Sequence, residues 1–266
     1  MTDFDSMDSY LALPRVTDLA LSPDGGRLVA TIGRLDEKGA ERINALWELD
    51  PAGSAEARQL TRSDKGESAP AFCPDRSLLF VSRRGAKDDD EPAALWRLPV
   101  SGEPEQVHAR PGGVAGVIVA RDAGAVVVSG NALPGSASSE DDEKRRTARK
   151  DAKVRAALHT ESPVRFWDHD LGPAVPHVYW VGRLPAETAP GAPVEEPEWR
   201  DLSPDAGPPN GAGDDVTVSP DGRHVLRTED VPDGPAGRRT RLVLTEVATG
   251  ETRVLVDDPT ADVGGG

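Results

Sequence analysis

The chain has 266 residues and a formal net charge of −15, with 37% apolar residues, 27 Gly and 24 Pro. So acidic a molecule repels nucleic acid and anionic lipid, and no stretch approaches the ~20 apolar residues that span a bilayer. The single cysteine, Cys73, excludes an internal disulfide and a cysteine-based metal cage; the acidic opening, Met1 to Arg15, lacks the apolar run of an export signal, so a cytoplasmic location is expected.

After a lead-in over 1–16, one pattern recurs four times. The first unit, 17–63, runs through a Leu21-Ser22-Pro23-Asp24-Gly25 turn, an apolar run Leu28–Ile32, Leu46-Trp47-Glu48-Leu49, a turn at Gly53 and the strand Arg58-Gln59-Leu60. The second, 64–112, repeats it as Phe72-Cys73-Pro74-Asp75, Leu78–Val81, Leu95-Trp96-Arg97-Leu98 and Gly102. The third, 113–205, opens with the weaker copy Ala120-Arg121-Asp122-Ala123-Gly124 and Ala125–Val128, and resumes at Tyr179-Trp180-Val181. The fourth, 206–258, carries Val218-Ser219-Pro220-Asp221-Gly222, Val225-Leu226, Leu242-Val243-Leu244, Gly250 and Arg253–Val256, leaving 259–266 as a tail. The turns have a mechanism: Pro presets φ, Asp tolerates the next position, and Gly accepts the positive φ that returns the chain as a hairpin. Two hairpins in series make one four-stranded antiparallel blade. The predicted fold is therefore all-β, a partial β-propeller of four blades of the WD40/TolB-like kind.

The turn aspartates lie 51 residues apart from Asp24 to Asp75, 47 from there to Asp122, and 99 from there to Asp221. The last step holds one set of signatures in two periods, so the third blade contains an insertion, at about 134–176. Within it, Ser138-Ser139-Glu140-Asp141-Asp142-Glu143 gives way to Lys144-Arg145-Arg146, acids first and bases later as a helix dipole favours. Glu140/Lys144, Asp141/Arg145 and Asp142/Arg146 have i,i+4 spacing. With Ala148, Ala152, Val154 and Leu158 as a thin apolar stripe, a charged surface helix is predicted over 140–158, ended by Pro163.

Arg149-Lys150-Asp151 through Ala157-Leu158-His159, then Pro163-Val164-Arg165-Phe166-Trp167-Asp168-His169-Asp170-Leu171-Gly172-Pro173, resembles a segment of acylaminoacyl-peptidase-like members of the prolyl oligopeptidase superfamily. Tyr10-Leu11 to Pro14-Arg15-Val16, leading into the first turn, is similar to the start of the same proteins. The resemblance runs from about 8 to 258. It implies a propeller of about seven blades followed by an α/β-hydrolase domain with a Ser–Asp–His triad and its serine on a G-x-S-x-G elbow. No such elbow occurs in these 266 residues, so no catalytic residue carries over. The chain alone is expected to be inactive, a fragment or truncated product whose partners are that hydrolase domain and a peptide substrate, with self-association into an oligomer as a further expectation. The alternative is a stand-alone propeller scaffold that binds a protein on its face.

The candidate site residues are Arg165, Trp167, Asp168 and Asp170. In one reading Arg165 meets a substrate carboxylate and Asp168 or Asp170 a free amino terminus; in the other, Trp167 plugs a gap between blades while the aspartates cap turns. Asp168 and Asp170 share a face in an extended segment but His169 does not, which argues against a metal with His177. No cofactor is expected. Cys73 aligns with Ser22 and Ser219, a semi-buried turn position. Trp47 and Trp96 are expected in the core, Asp88–Glu91 as a solvated loop and Gly211-Ala212-Gly213 as a linker.

Overall fold

The computed structural model describes residues 6–88, 91–159, 164–166, 169–184, 199–205, 215–234 and 237–260. A short helix α1 (Met7–Ala12), capped by Ser6, precedes strands β1 (Arg15–Leu21), β2 (Leu28–Leu35), β3 (Arg42–Leu49) and β4 (Arg58–Gln59), paired in that order. The second sheet repeats the meander with β5 (Glu67–Phe72), β6 (Leu78–Ser82), β7 (Ala94–Leu98) and β8 (Glu105–His108). In the third, β9 (Val114–Val119) and β10 (Ala125–Ala132) are followed by helix α2 (Ser139–Asp151) and a small hairpin, β11 (Arg165–Phe166) with β12 (His169–Asp170). Strands β13 (Val175–Arg183) and β14 (Arg200–Asp201) then complete that sheet in the order β14-β13-β10-β9. The fourth holds β15 (Val216–Val218), β16 (His224–Asp233), β17 (Gly237–Glu246) and β18 (Thr252–Val256). Four four-stranded antiparallel sheets are the blades the repeat calls for. Among the described residues no helix is long and apolar enough to cross a membrane.

The β1–β2 and β15–β16 turns are built alike. Ser22 Oγ donates to Asp24 Oδ1 at 2.6 Å and accepts from Arg27 N at 2.8 Å; Ser219, Asp221 and His224 repeat the pair of bonds at 2.6 and 3.0 Å. Gly25 and Gly222 both take φ 72°. In the second sheet Cys73 replaces the serine, and Ser77 supplies the hydroxyl instead, donating to Asp75 Oδ1 at 2.6 Å. Arg76 there adopts φ 71°, the conformation glycine holds in the other two turns. Cys73 is a free, buried cysteine, and burial pushes its thiol pKa up.

The chain divides into two compact units, residues 1–109 with 115–117 and residues 110–114 with 118–266. In the first, Val29 and Leu46 of sheet one meet Phe72, Leu78 and Phe80 of sheet two, with Ala20, Leu60, Trp96 and Leu98 packed around them. In the second, Val127, Val178 and Leu202 meet Val225 and Val247, with Trp180, Val216 and Val218 alongside. Each fully buried Leu, Val or Phe in these layers contributes roughly 1.5–3 kcal/mol relative to an exposed one. Alternation along the strands places one apolar row on each of these faces.

Three expectations need correction. The helix of the insertion ends at Asp151, not Leu158. Lys153 turns to φ 53°, Lys153 N donates to Lys150 O at 3.0 Å and Val154 N to Arg149 O at 2.9 Å, a closing motif that releases the chain. Val154 and Leu158 consequently form no stripe, and Leu158 is 90% exposed. Trp180 is not the counterpart of Trp47 and Trp96. Leu46 N bonds Thr61 Oγ1 and Val178 N bonds Ser203 Oγ in the same way, so Tyr179 stands where Trp47 does and Trp180 turns to the opposite face. Trp47 itself is only half-buried, with the Arg34 guanidinium 4.1 Å from its ring centre. Pro163 and Gly211-Ala212-Gly213 lie outside the described residues, as do Asp89 and Asp90 of the acidic loop.

Candidate functional site

Two kinds of connection gather at the blade ends opposite the Ser-Pro-Asp turns: the link from the second to the third strand of a sheet, and the link from one sheet to the next. The insertion of the third sheet is of the first kind. Its β11–β12 hairpin sets Arg165 across from Asp170, with Arg165 Nη1 3.5 Å from Asp170 Oδ1 and side chains 58% and 80% exposed. Leu171 N closes the hairpin onto Val164 O at 3.0 Å. Trp167 and Asp168 lie outside the described residues.

Helix α2 holds this insertion against its own sheet through a buried acid. Asp142 is 1% exposed; its Oδ1 accepts from Leu133 N at 2.7 Å and Ser136 Oγ at 3.2 Å, and its Oδ2 from Arg146 Nε at 2.8 Å. Lys144–Glu140 and Arg145–Asp141 form the other two spaced pairs at 2.6 and 2.9 Å, both in solvent. Gly112 makes the close approach possible: a Cβ there would stand 1.6 Å from Asn131 O and 2.8 Å from Arg146 Nη2.

Beside it lies a polar and aromatic group that sequence reasoning missed. The buried Arg110 guanidinium stacks 3.8 Å from the Tyr179 ring centre and 4.9 Å from that of Trp199. His177 stacks on Tyr179 and pairs through Nδ1 with Asp201 Oδ2 at 2.8 Å; Asp201 Oδ1 accepts from Ser203 N at 2.8 Å. Burial pushes the Tyr179 hydroxyl to a pKa of about 12, so it stays protonated and can donate. Arg110 lies 49 residues after Thr61, the spacing of Trp96 from Trp47, but an extra residue in β8 takes it out of register with the hydroxyls that Thr61 and Ser203 provide to the neighbouring strand, so the repeat did not mark it.

The first unit has a cleft at the corresponding blade end, a cavity of about 310 Å³ whose lining includes Glu41, Arg42, Asn44, Lys65, Glu67 and Arg83. Glu67 is 2% exposed and its carboxylate accepts from Thr61 Oγ1 at 3.0 Å and Ser63 N at 3.1 Å. Burial raises its pKa against those two bonds. The cleft is polar and mixed in charge, suited to polar or charged groups more than to an apolar ligand. Among the described residues no three His, Cys, Asp or Glu side chains converge on a metal position.

No family model matches the chain. Over 77 residues it is 32% identical to dipeptidyl-peptidase 5 of Porphyromonas gingivalis, a stretch that is 29% of this chain and 11% of that protein. Among solved structures it is similar to an acylaminoacyl peptidase in complex with Z-Gly-Gly-Phe-chloromethyl ketone, at TM-score 0.62 and 10% identity over 95% of this chain and 34% of that one. The acylaminoacyl peptidase of Pyrococcus horikoshii gives TM-score 0.60 and 10% identity, over 94% of this chain and 33% of that one. The β-propeller domain of the Trilobed protease from Pyrococcus furiosus gives 0.50 and 8%, over 92% and 58%. These likenesses show the fold: the chain has a β-propeller architecture. It spans about a third of the length of the two acylaminoacyl peptidases, and the 77-residue match about a tenth of the curated relative.

Proposed function

We propose that the chain is the non-catalytic propeller portion of a serine peptidase acting on acyl-peptides or oligopeptides, and that it gates and selects substrates for an α/β-hydrolase domain. The observation that carries this is the overlay of 95% of the chain on one third of an acylaminoacyl peptidase. Selection is steric: blade ends exclude folded proteins and admit short, extended chains. Arg165, Trp167, Asp168 and Asp170 are the substrate- or domain-facing residues. Arg165 and Asp170 pair with each other in solvent, and an exposed pair is worth about 0–1 kcal/mol. A peptide carboxylate or ammonium therefore displaces one partner at little cost. A cytoplasmic location belongs to the same proposal.

The test is the substrate-length profile of the full-length gene product. Turnover of blocked peptides is expected to fall as they lengthen, and removing residues 134–176 is expected to flatten that fall. Equal turnover of short peptides and folded proteins by the intact enzyme would refute the gating role.

A further inference from the structure

The insertion of the third sheet carries a concentration of positive charge that its helix alone does not explain. From residue 144 to 159 the chain has seven basic residues and one acid, Asp151, within a molecule of net charge −15. The first three, Lys144, Arg145 and Arg146, each pair with an acid one turn earlier on α2. The other four, Arg149, Lys150, Lys153 and Arg155, meet no carboxylate among the described residues. Arg149 and Lys150 suit the negative end of the helix dipole, an effect that fades beyond the last turn. Lys153 and Arg155 lie past it.

Three hydrogen bonds gather these residues into one loop. Lys153 N donates to Lys150 O, Val154 N to Arg149 O, and Arg149 Nη2 to Ala156 O at 2.9 Å. The fold-back leaves Lys150, Lys153 and Arg155 in solvent, with Val154 45% and Leu158 90% exposed on the same loop. Aliphatic side chains interleaved with unpaired cations can cover a partner's apolar group and neutralise its charge together. Strands of the third sheet precede and follow the loop in sequence, and all of it belongs to the second compact unit. It is internal to a blade.

We propose that this loop docks a short acidic peptide, with its carboxylates on Lys150, Lys153 and Arg155 and an aliphatic side chain on Leu158. The charge of the whole molecule selects the size of the partner. Screening limits exposed charges to a reach of about 8 Å at physiological salt, so a peptide confined to the loop meets mainly the loop's cations. A nucleic acid or an anionic vesicle extends over far more of the protein and meets its net charge of −15. The peptidase reading adds only that the bound peptide is a substrate; docking itself does not depend on it.

The test is a titration of the full-length gene product, treated with a fluorophosphonate so that no peptide is cut, into a rhodamine-labelled peptide of Glu, Asp and Leu, read by anisotropy. Saturable binding is expected, weakening as salt is raised and absent for the counterpart built of Gln, Asn and Leu. Each exposed ion pair accounts for up to about fivefold in affinity. Lys150→Glu, Lys153→Glu and Arg155→Glu together are therefore expected to weaken binding by at least about tenfold, with an unchanged circular dichroism spectrum. Leu158→Ser is expected to give a smaller, severalfold loss. Equal affinity for the amide counterpart, or unchanged affinity in the triple variant, overturns the proposal, as does tighter binding of single-stranded DNA or anionic vesicles than of the acidic peptide.

Discussion

Arg76 holds the turn position that glycine fills at Gly25 and Gly222, with φ 71°. A left-handed conformation costs an L-residue roughly 1–2 kcal/mol, and the side chain returns only a 3.6 Å exposed contact with Asp24. Arg76→Gly is therefore expected to raise stability by about 0.5–1 kcal/mol, since glycine's larger unfolded-state entropy takes back part of the gain. The urea midpoint of the chain measures it; a lower midpoint would mean that the Asp24 contact outweighs the backbone strain. Turn chemistry was legible in the sequence because a Ser-Pro-Asp-Gly run specifies its own hydrogen bonds locally. Arg110, Asp142 and Tyr179 were not, because their burial depends on partners far along the chain: Arg110 meets Tyr179 and Trp199, and Asp142 meets Leu133 N.

Helix α2 shows how far charge pattern alone reaches. All three i,i+4 pairs form, yet they are unequal, because Asp142 is buried while Glu140 is in solvent. Asp142→Ala removes the acceptor of Leu133 N and strands the half-buried Arg146 guanidinium. The expected loss is about 2–3 kcal/mol in chemical denaturation, with Glu140→Ala nearly silent in the same assay. Equal effects of the two substitutions would mean that Asp142 does not anchor the insertion. The helix end escaped the sequence reading for a local reason: Lys153 adopts positive φ without being glycine, and no composition signal marks that. The pairing of Arg165 with Asp170 across a hairpin was equally hidden, since the run from Arg165 to Asp170 contains no Gly or Pro to mark the turn.

At the scale of the whole molecule the repeat was the informative feature. Period-two alternation and spaced turns dictate blades regardless of what each blade binds, so four sheets could be read from residues 17–258. What the blades serve could not, because a gating surface is made of loop ends whose partners are not encoded in strand periodicity. The proposed peptidase role rests on an overlay with proteins about three times as long. It is tested most directly in cells that express the gene, by fluorophosphonate labelling followed by immunodetection against residues 17–258. The labelled species is expected to contain this propeller in the same polypeptide as a reactive serine, at a mass well above 28.2 kDa. An unlabelled species of that mass, joined to no serine hydrolase, would contradict the account and leave the scaffold reading in its place.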